Sequence, residues 1–253
     1  MVDLTGKTAI ITGAGQGVGF GIACTMSKAG ASVVLAGRTL AKVEQAAAEI
    51  ASRGGKAIAV ACDVKSPADM QAAIDTALRT FGGLDILVNN AQEVPLGTLD
   101  EVTDEAFTAG FESGPLATFR FMKLARPHLA ARGGGVIVNM ATSAGVRWDM
   151  AGYGPYGAVK QAIRVLGRAA ASEWGAENIR VLTIAPHALS PGLEWWTETY
   201  PEEAAEFVKS IPLGRVGSLE TDIGKAVAAL CGPEFGYLTG TTIPLDGGQA
   251  NFD

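Results

Sequence analysis

The chain has 253 residues, 48% hydrophobic and 18% charged, with a net charge of −6. That is enough apolar material for a large folded core and too little charge for a disordered chain. No run of Lys or Arg marks a nucleic-acid or anionic-membrane footprint. Cys24, Cys62 and Cys231 are scattered among apolar residues and odd in number. They read as reduced core thiols of a cytoplasmic protein, not as a disulfide frame or a metal site. The opening "MVDLTGKTAIITG" leads directly into a strand, so neither a signal peptide nor a membrane span is expected.

Short apolar runs rich in β-branched residues recur at 8–12, 32–36, 57–61, 85–89, 136–140, 180–185 and 242–246. Each predicts a strand covered on both faces. Ala-rich stretches of helical character separate them, with glycines just past the expected helix ends and Pro67 following Ser66 at a helix start. Strand–helix alternation of this kind predicts an α/β fold. It is a doubly wound, Rossmann-type parallel sheet of about seven strands with helices on both faces, in one domain over 1–253.

After the first strand comes "TGAGQGVGFG". The spacing G-x-G-x-x-G fails here, whereas T-G-x-x-x-G-x-G fits through Thr12, Gly13, Gly17 and Gly19. A second register through Gly15, Gly19 and Gly21 starts too late for the strand end. Glycines in this place let the backbone approach a pyrophosphate at the N-terminus of the next helix. The second strand ends in Gly37, followed by Arg38. The absence of an acidic residue there and the presence of a guanidinium favour a 2′-phosphate, hence NADP(H) over NAD(H).

Further on stand "NNA" at 89–91, "NMATSAG" at 139–145 and Tyr156-x-x-x-Lys160. With the glycine loop, "CDV" at 62–64 and "PLDGG" at 244–248, these make the chain resemble the short-chain dehydrogenase/reductases of the single-domain type. The resemblance implies hydride transfer between NAD(P) and a ketone, an aldehyde or a secondary alcohol. It makes Tyr156 the acid/base and Lys160 its activator, lowering the phenol's pKa and anchoring the nicotinamide ribose. Residues expected around the cofactor are Gly13, Gln16, Gly17, Val18, Gly19, Arg38, Asp63, Val64, Asn90, Ala91, Gln92, Pro186 and Leu189, with Tyr156 and Lys160. The family's usual partner is a second copy of the chain, as a homotetramer or homodimer; long apolar helices at 104–131 and 156–174 agree with that.

The chain also departs from the family pattern. Thr142 stands where a serine is usual; it keeps the hydroxyl, and Ser143 one residue on should face the other way. Gly114, followed by Pro115, replaces an asparagine in the fourth helix, and Gly-Pro there is expected to bend that helix. Gln92 and His187 replace glycines. Tyr153, His187 and Trp195 join Thr142 as substrate candidates, and 189–212 is the expected substrate lid, with Trp148 across the cleft. The same fold also hosts carbonyl-based isomerases and eliminating enzymes. Gly114, Gln92 and His187 leave open a cofactor-binding protein with little turnover.

Overall fold

The computed structural model describes residues 2–147, 151–250 and 252. Seven parallel strands form one sheet: β1 (Thr8–Thr12), β2 (Ser32–Gly37), β3 (Lys56–Ala61), β4 (Ile86–Asn89), β5 (Gly135–Met140), β6 (Ile179–Pro186) and β7 (Thr242–Leu245). Their order is β3-β2-β1-β4-β5-β6-β7. The chain first winds outward from β1 through β2 to β3, then returns to place β4 on the other side of β1. That reversal opens a crevice at the carboxyl ends of the strands, where α/β sheets bind ligands. Every apolar run read as a strand is one, with ends shifted by a residue at most.

Both faces are covered because the strands are apolar on both sides. Along β1 and β2, Ile11, Val33 and Leu35 enter one core. Ile10, Val34 and Ala36 enter the other. The first core is packed by α1 (Gly17–Lys28), α2 (Leu40–Ser52) and α9 (Lys225–Cys231). The second is packed by α3 (Pro67–Phe81), α5 (Ala117–Ala131) and part of α6 (Gly154–Trp174). Helix α3 begins as its sequence dictates, Ser66 accepting from the Asp69 amide and Pro67 at the first helical position. It ends on Gly82 at φ +81°, the left-handed conformation glycine adopts without strain.

The fourth helical stretch is α4 (Asp104–Phe111) joined to α5 by a π turn over Glu112–Leu116. Pro115 sits inside that turn. It has no amide for the carbonyl one turn back, so the ladder opens by one residue. The irregularity expected at Gly114–Pro115 is therefore a π turn. Two short helices, α7 (Pro191–Thr199) and α8 (Pro201–Lys209), occupy most of the 189–212 segment. No described helix is long and apolar enough to cross a membrane. The three cysteines are free and buried, and burial pushes their thiols up to about 11 for Cys24 and about 12 for Cys62 and Cys231.

Candidate active site

A cleft of about 500 Å³ opens where β1, β2 and β4 end, and the glycine loop forms its floor. Gly13 and Gly17 have φ of +65° and +58°, which selects the register through Gly13, Gly17 and Gly19. A Cβ on Gly19 would lie 2.6 Å from Asn90 Nδ2 and 2.7 Å from the Gly13 carbonyl, so the third glycine is required by close packing. Gly21 belongs instead to helix packing, its Cβ position 2.6 Å from the Leu219 carbonyl. Thr12 locks the loop to β4: its hydroxyl accepts from the Asn90 and Ala91 amides, both at 2.9 Å. Asn90 Nδ2 donates to the Thr12 carbonyl at 2.8 Å.

Helix α1 starts at Gly17, and its N-cap Gln16 makes no side-chain capping bond. The first-turn amides at Gly17 therefore have no side-chain cap, as an anion-binding helix start requires. Pro191 of α7 closes over this point, its Cδ 3.5 Å from where a Gly17 Cβ would be. Ser190, Pro191 and Gly192 line the cleft, whereas Leu189 is exposed, its amide donating to the Gly217 carbonyl. The segment thus meets the glycine loop through Pro191 rather than Leu189, with Ser190 capping α7.

Arg38, which the end of the second strand pointed to, and Asp63, Val64, Asn90, Ala91 and Gln92, which the resemblance implied, all line the cleft. Two charged residues there were not foreseen. Lys42 lies on the first turn of α2, its Nζ 3.2 Å from Gln16 Oε1. Glu93 accepts from Arg38 Nη1 at 2.6 Å and from Lys65 Nζ at 3.1 Å. Lys42 could have been found as the residue one helical turn after the Arg38–Thr39 helix start; Glu93 carries no local signal.

At the end of β5 the catalytic candidates converge. The Thr142 hydroxyl lies close enough to Tyr156 to favour its phenolate, and it accepts from the Ala144 amide at 3.3 Å. Ser143 turns the other way, donating to Asp246 at 2.5 Å in a buried pair. Thr142 and Ser143 thus face opposite sides, as alternation at a strand end predicts. Asp246 also accepts from the Gly248 and Ala250 amides at 3.0 and 3.1 Å, fixing the Ser143 side of the loop. Lys160 is buried, its Nζ 5.5 Å from the Tyr156 ring centroid and donating to the Met140 carbonyl at 2.9 Å.

The electrostatics differ from expectation. Burial pushes the Tyr156 phenol up to about 12, with the Thr142 hydrogen bond opposing. Burial pulls the Lys160 ammonium down to about 7. The protein's own atoms therefore raise the phenol, and what opposes the desolvation comes from Thr142, not from Lys160. Tyr153 sits at the N-cap of α6, its ring centroid 6.5 Å from that of Tyr156.

Gln92 lies against Gly114. A Cβ at 114 would stand 3.2 Å from Gln92 Nε2 and 2.8 Å from Val159 Cγ1. The Gln92 amide fills the space a side chain at 114 would need, with both polar atoms buried and unpartnered. His187 stacks edge-on against Phe207 of α8, centroids 5.2 Å apart, and burial lowers its pKa. Phe207 also receives Trp196 at 5.8 Å, so these aromatics hold the lid together. Trp195 is 61% exposed and pairs with Tyr200, not with the cleft. Trp148 lies outside the described residues.

Comparison with known proteins agrees with this geometry. The family described as Enoyl-(Acyl carrier protein) reductase matches residues 13–250. A 12alpha-hydroxysteroid dehydrogenase of a Clostridium species is 39% identical, covering 96% of each chain. A peroxisomal 2,4-dienoyl-CoA reductase of Danio rerio is 36% identical over 97% of this chain and 82% of its own. A 7 alpha-hydroxysteroid dehydrogenase solved with NADH and 7-oxo glycochenodeoxycholic acid superposes with a TM-score of 0.90. It is 33% identical and covers 98% of this chain and 96% of its own. A Beutenbergia cavernae protein solved with NADP at low occupancy superposes at 0.89, 31% identical over 98% of each chain. Glycine-loop cleft, paired hydroxyls and buried lysine, matched along nearly the whole length by dehydrogenases and reductases, make this chain a member of the short-chain dehydrogenase/reductase family, oxidoreductases of CH–OH and C=O groups.

Proposed function

We propose that the protein is an NADP(H)-preferring oxidoreductase that interconverts a ketone or aldehyde with the matching alcohol, Tyr156 acting as acid/base. The observation that carries this reading is the convergence of Thr142, Tyr156 and buried Lys160 at the end of β5, next in the sheet to the strand β4 whose end borders the glycine-loop cleft. The residues fit a dinucleotide: a glycine loop with no room for a Cβ at Gly13 or Gly19, and a helix N-terminus without a side-chain cap. When bound, that cofactor supplies or accepts hydride.

The chain's own groups handle the oxygen and its proton. As hydride reaches a carbonyl carbon, negative charge grows on the oxygen. The Thr142 and Tyr156 hydroxyls, already adjacent, can both donate to it. Tyr156 then gives up its proton, and a phenol held near 12 stays protonated until that moment. Lys160, fixed by the Met140 carbonyl, keeps ammonium protons for a ribose hydroxyl. Gly13, Gly17, Gly19 and the first turn of α1 would hold the pyrophosphate; Asp63 and Val64 would border the adenine. Arg38 and Lys42 would take the 2′-phosphate, which is what favours NADP(H).

Two relatives act on hydroxysteroids by name. A rigid secondary alcohol or ketone of that apolar kind is the substrate class we infer. Helices α7 and α8 would cover it. Assembly belongs to the same reading. Phe107, Phe111, Leu116, Phe119 and Leu166 line an apolar groove of about 480 Å³ on α4–α6. A second copy is its proposed occupant, giving a dimer or tetramer of the 26.0 kDa chain.

The test is NADPH consumption against keto-steroids and simpler ketones, with an enoyl thioester as the contrasting acceptor. Tyr156→Phe should lower turnover by about 10²- to 10⁴-fold while leaving NADPH affinity nearly intact. Unchanged turnover would remove Tyr156 from the role assigned here.

A further inference from the structure

We propose that Glu93 sets the choice between dinucleotides with and without a 2′-phosphate, as a carboxylate clasp across the adenosine end of the cleft. The proposal rests on the reading of that cleft as a dinucleotide site and goes beyond it by assigning its selectivity to a third, acidic residue. One oxygen, Glu93 Oε1, receives Arg38 Nη1 at 2.6 Å and Lys65 Nζ at 3.1 Å. Arg38 follows β2, Lys65 follows β3 and Glu93 follows β4, so a single carboxylate ties three loops together. Its backbone is held as well: the Glu93 amide donates to Ser113 Oγ at 2.9 Å, and that hydroxyl donates to the Ala109 carbonyl at 2.7 Å. Glu93 is thus anchored to the π turn, facing the cation that would read the phosphate.

The charges decide what this does. Arg38 and Lys65 bring two positive charges, and Glu93 cancels one of them. A 2′-phosphate arriving at Arg38 competes with Glu93 for the same guanidinium and meets its negative charge at close range. A 2′-hydroxyl meets no such repulsion, and a carboxylate accepts a hydrogen bond from it. Glu93 therefore subtracts from the selectivity that Arg38 and Lys42 confer. The Arg38 side chain is 61% exposed, so the clasp is open to solvent and opens readily.

The experiment is calorimetric titration of wild type and Glu93→Gln with adenosine 2′,5′-bisphosphate and adenosine 5′-monophosphate, then with NADPH and NADH. Glutamine keeps the size and removes the charge. We expect the two 2′-phosphate ligands to bind about 5- to 20-fold more tightly to the variant. The 2′-hydroxyl ligands should bind no better. Equal tightening of both classes, or no change in either, would reduce Glu93 to a loop tie and overturn the proposal. The deciding quantity is the ratio in the variant over that in wild type, so the outcome does not depend on which dinucleotide the wild type prefers.

Discussion

Placing an asparagine at position 114 tests how this chain copes with a glycine there. The added Cβ would sit 2.8 Å from Val159 Cγ1 and 3.2 Å from Gln92 Nε2, against the roughly 3.5–4 Å of a relaxed carbon contact. Val159 is fully buried and has nowhere to retreat. The rest of an asparagine side chain would run into the Gln92 amide, whose Cδ lies 3.3 Å from the Cβ position. Gly114→Asn alone should therefore cost about 1–3 kcal/mol through overpacking. Gln92→Gly alone removes a buried, unpartnered amide, which offsets much of the cavity it leaves. In the double variant the two side chains no longer compete for one space. We expect a favourable coupling of about 1–2 kcal/mol from urea unfolding of the four proteins. Turnover should follow, lowest in Gly114→Asn and recovered in the double variant. Additivity within about 0.5 kcal/mol would show that the two positions do not share space as described.

Two further outcomes are expected. Arg38→Ala should weaken NADPH binding about tenfold or more with little effect on NADH, measured by fluorescence titration; equal losses would end the case for a 2′-phosphate contact. Lys160→Met should stabilise the fold near pH 6 while abolishing turnover. The native Lys160 pKa of about 7 lies below the ordinary 10.5. Between these values the unfolded chain binds more protons, so the lysine's penalty is complete below pH 7 and fades as pH rises towards 10.5. The ceiling is on the order of 5 kcal/mol, less about 1–3 for the Met140 carbonyl left unpaired. Urea unfolding at pH 6 and 9.5 should show the variant's advantage shrinking; a constant difference would contradict the burial argument.

Much of this was legible from residue order because the relevant forces are local. Apolar runs located all seven strands, and strand alternation separated Thr142 from Ser143. The phosphate-loop register was chosen from strand-end position, and two positive φ angles agree with it. Long-range packing was the part that escaped. Gln92 and Gly114 were each noticeable as departures, but only contact across 22 residues of sequence shows one filling the room the other gave up. Glu93 meets Arg38 from 55 residues away, and nothing near either residue announces it. The upward direction of the phenol's pKa escapes for the same reason: spacing reveals the neighbouring ammonium and is silent on how much water the fold removes.

The Ser143–Asp246 contact carries a practical lesson about the far end of the molecule. Asp246 belongs to the turn after the last strand, yet it braces the loop whose next-door hydroxyl meets the phenol. Editing the carboxyl terminus, by trimming back through that aspartate or fusing a bulky tag close behind it, amounts to editing the proposed reaction centre. An affinity handle is better placed at the opposite end of the chain.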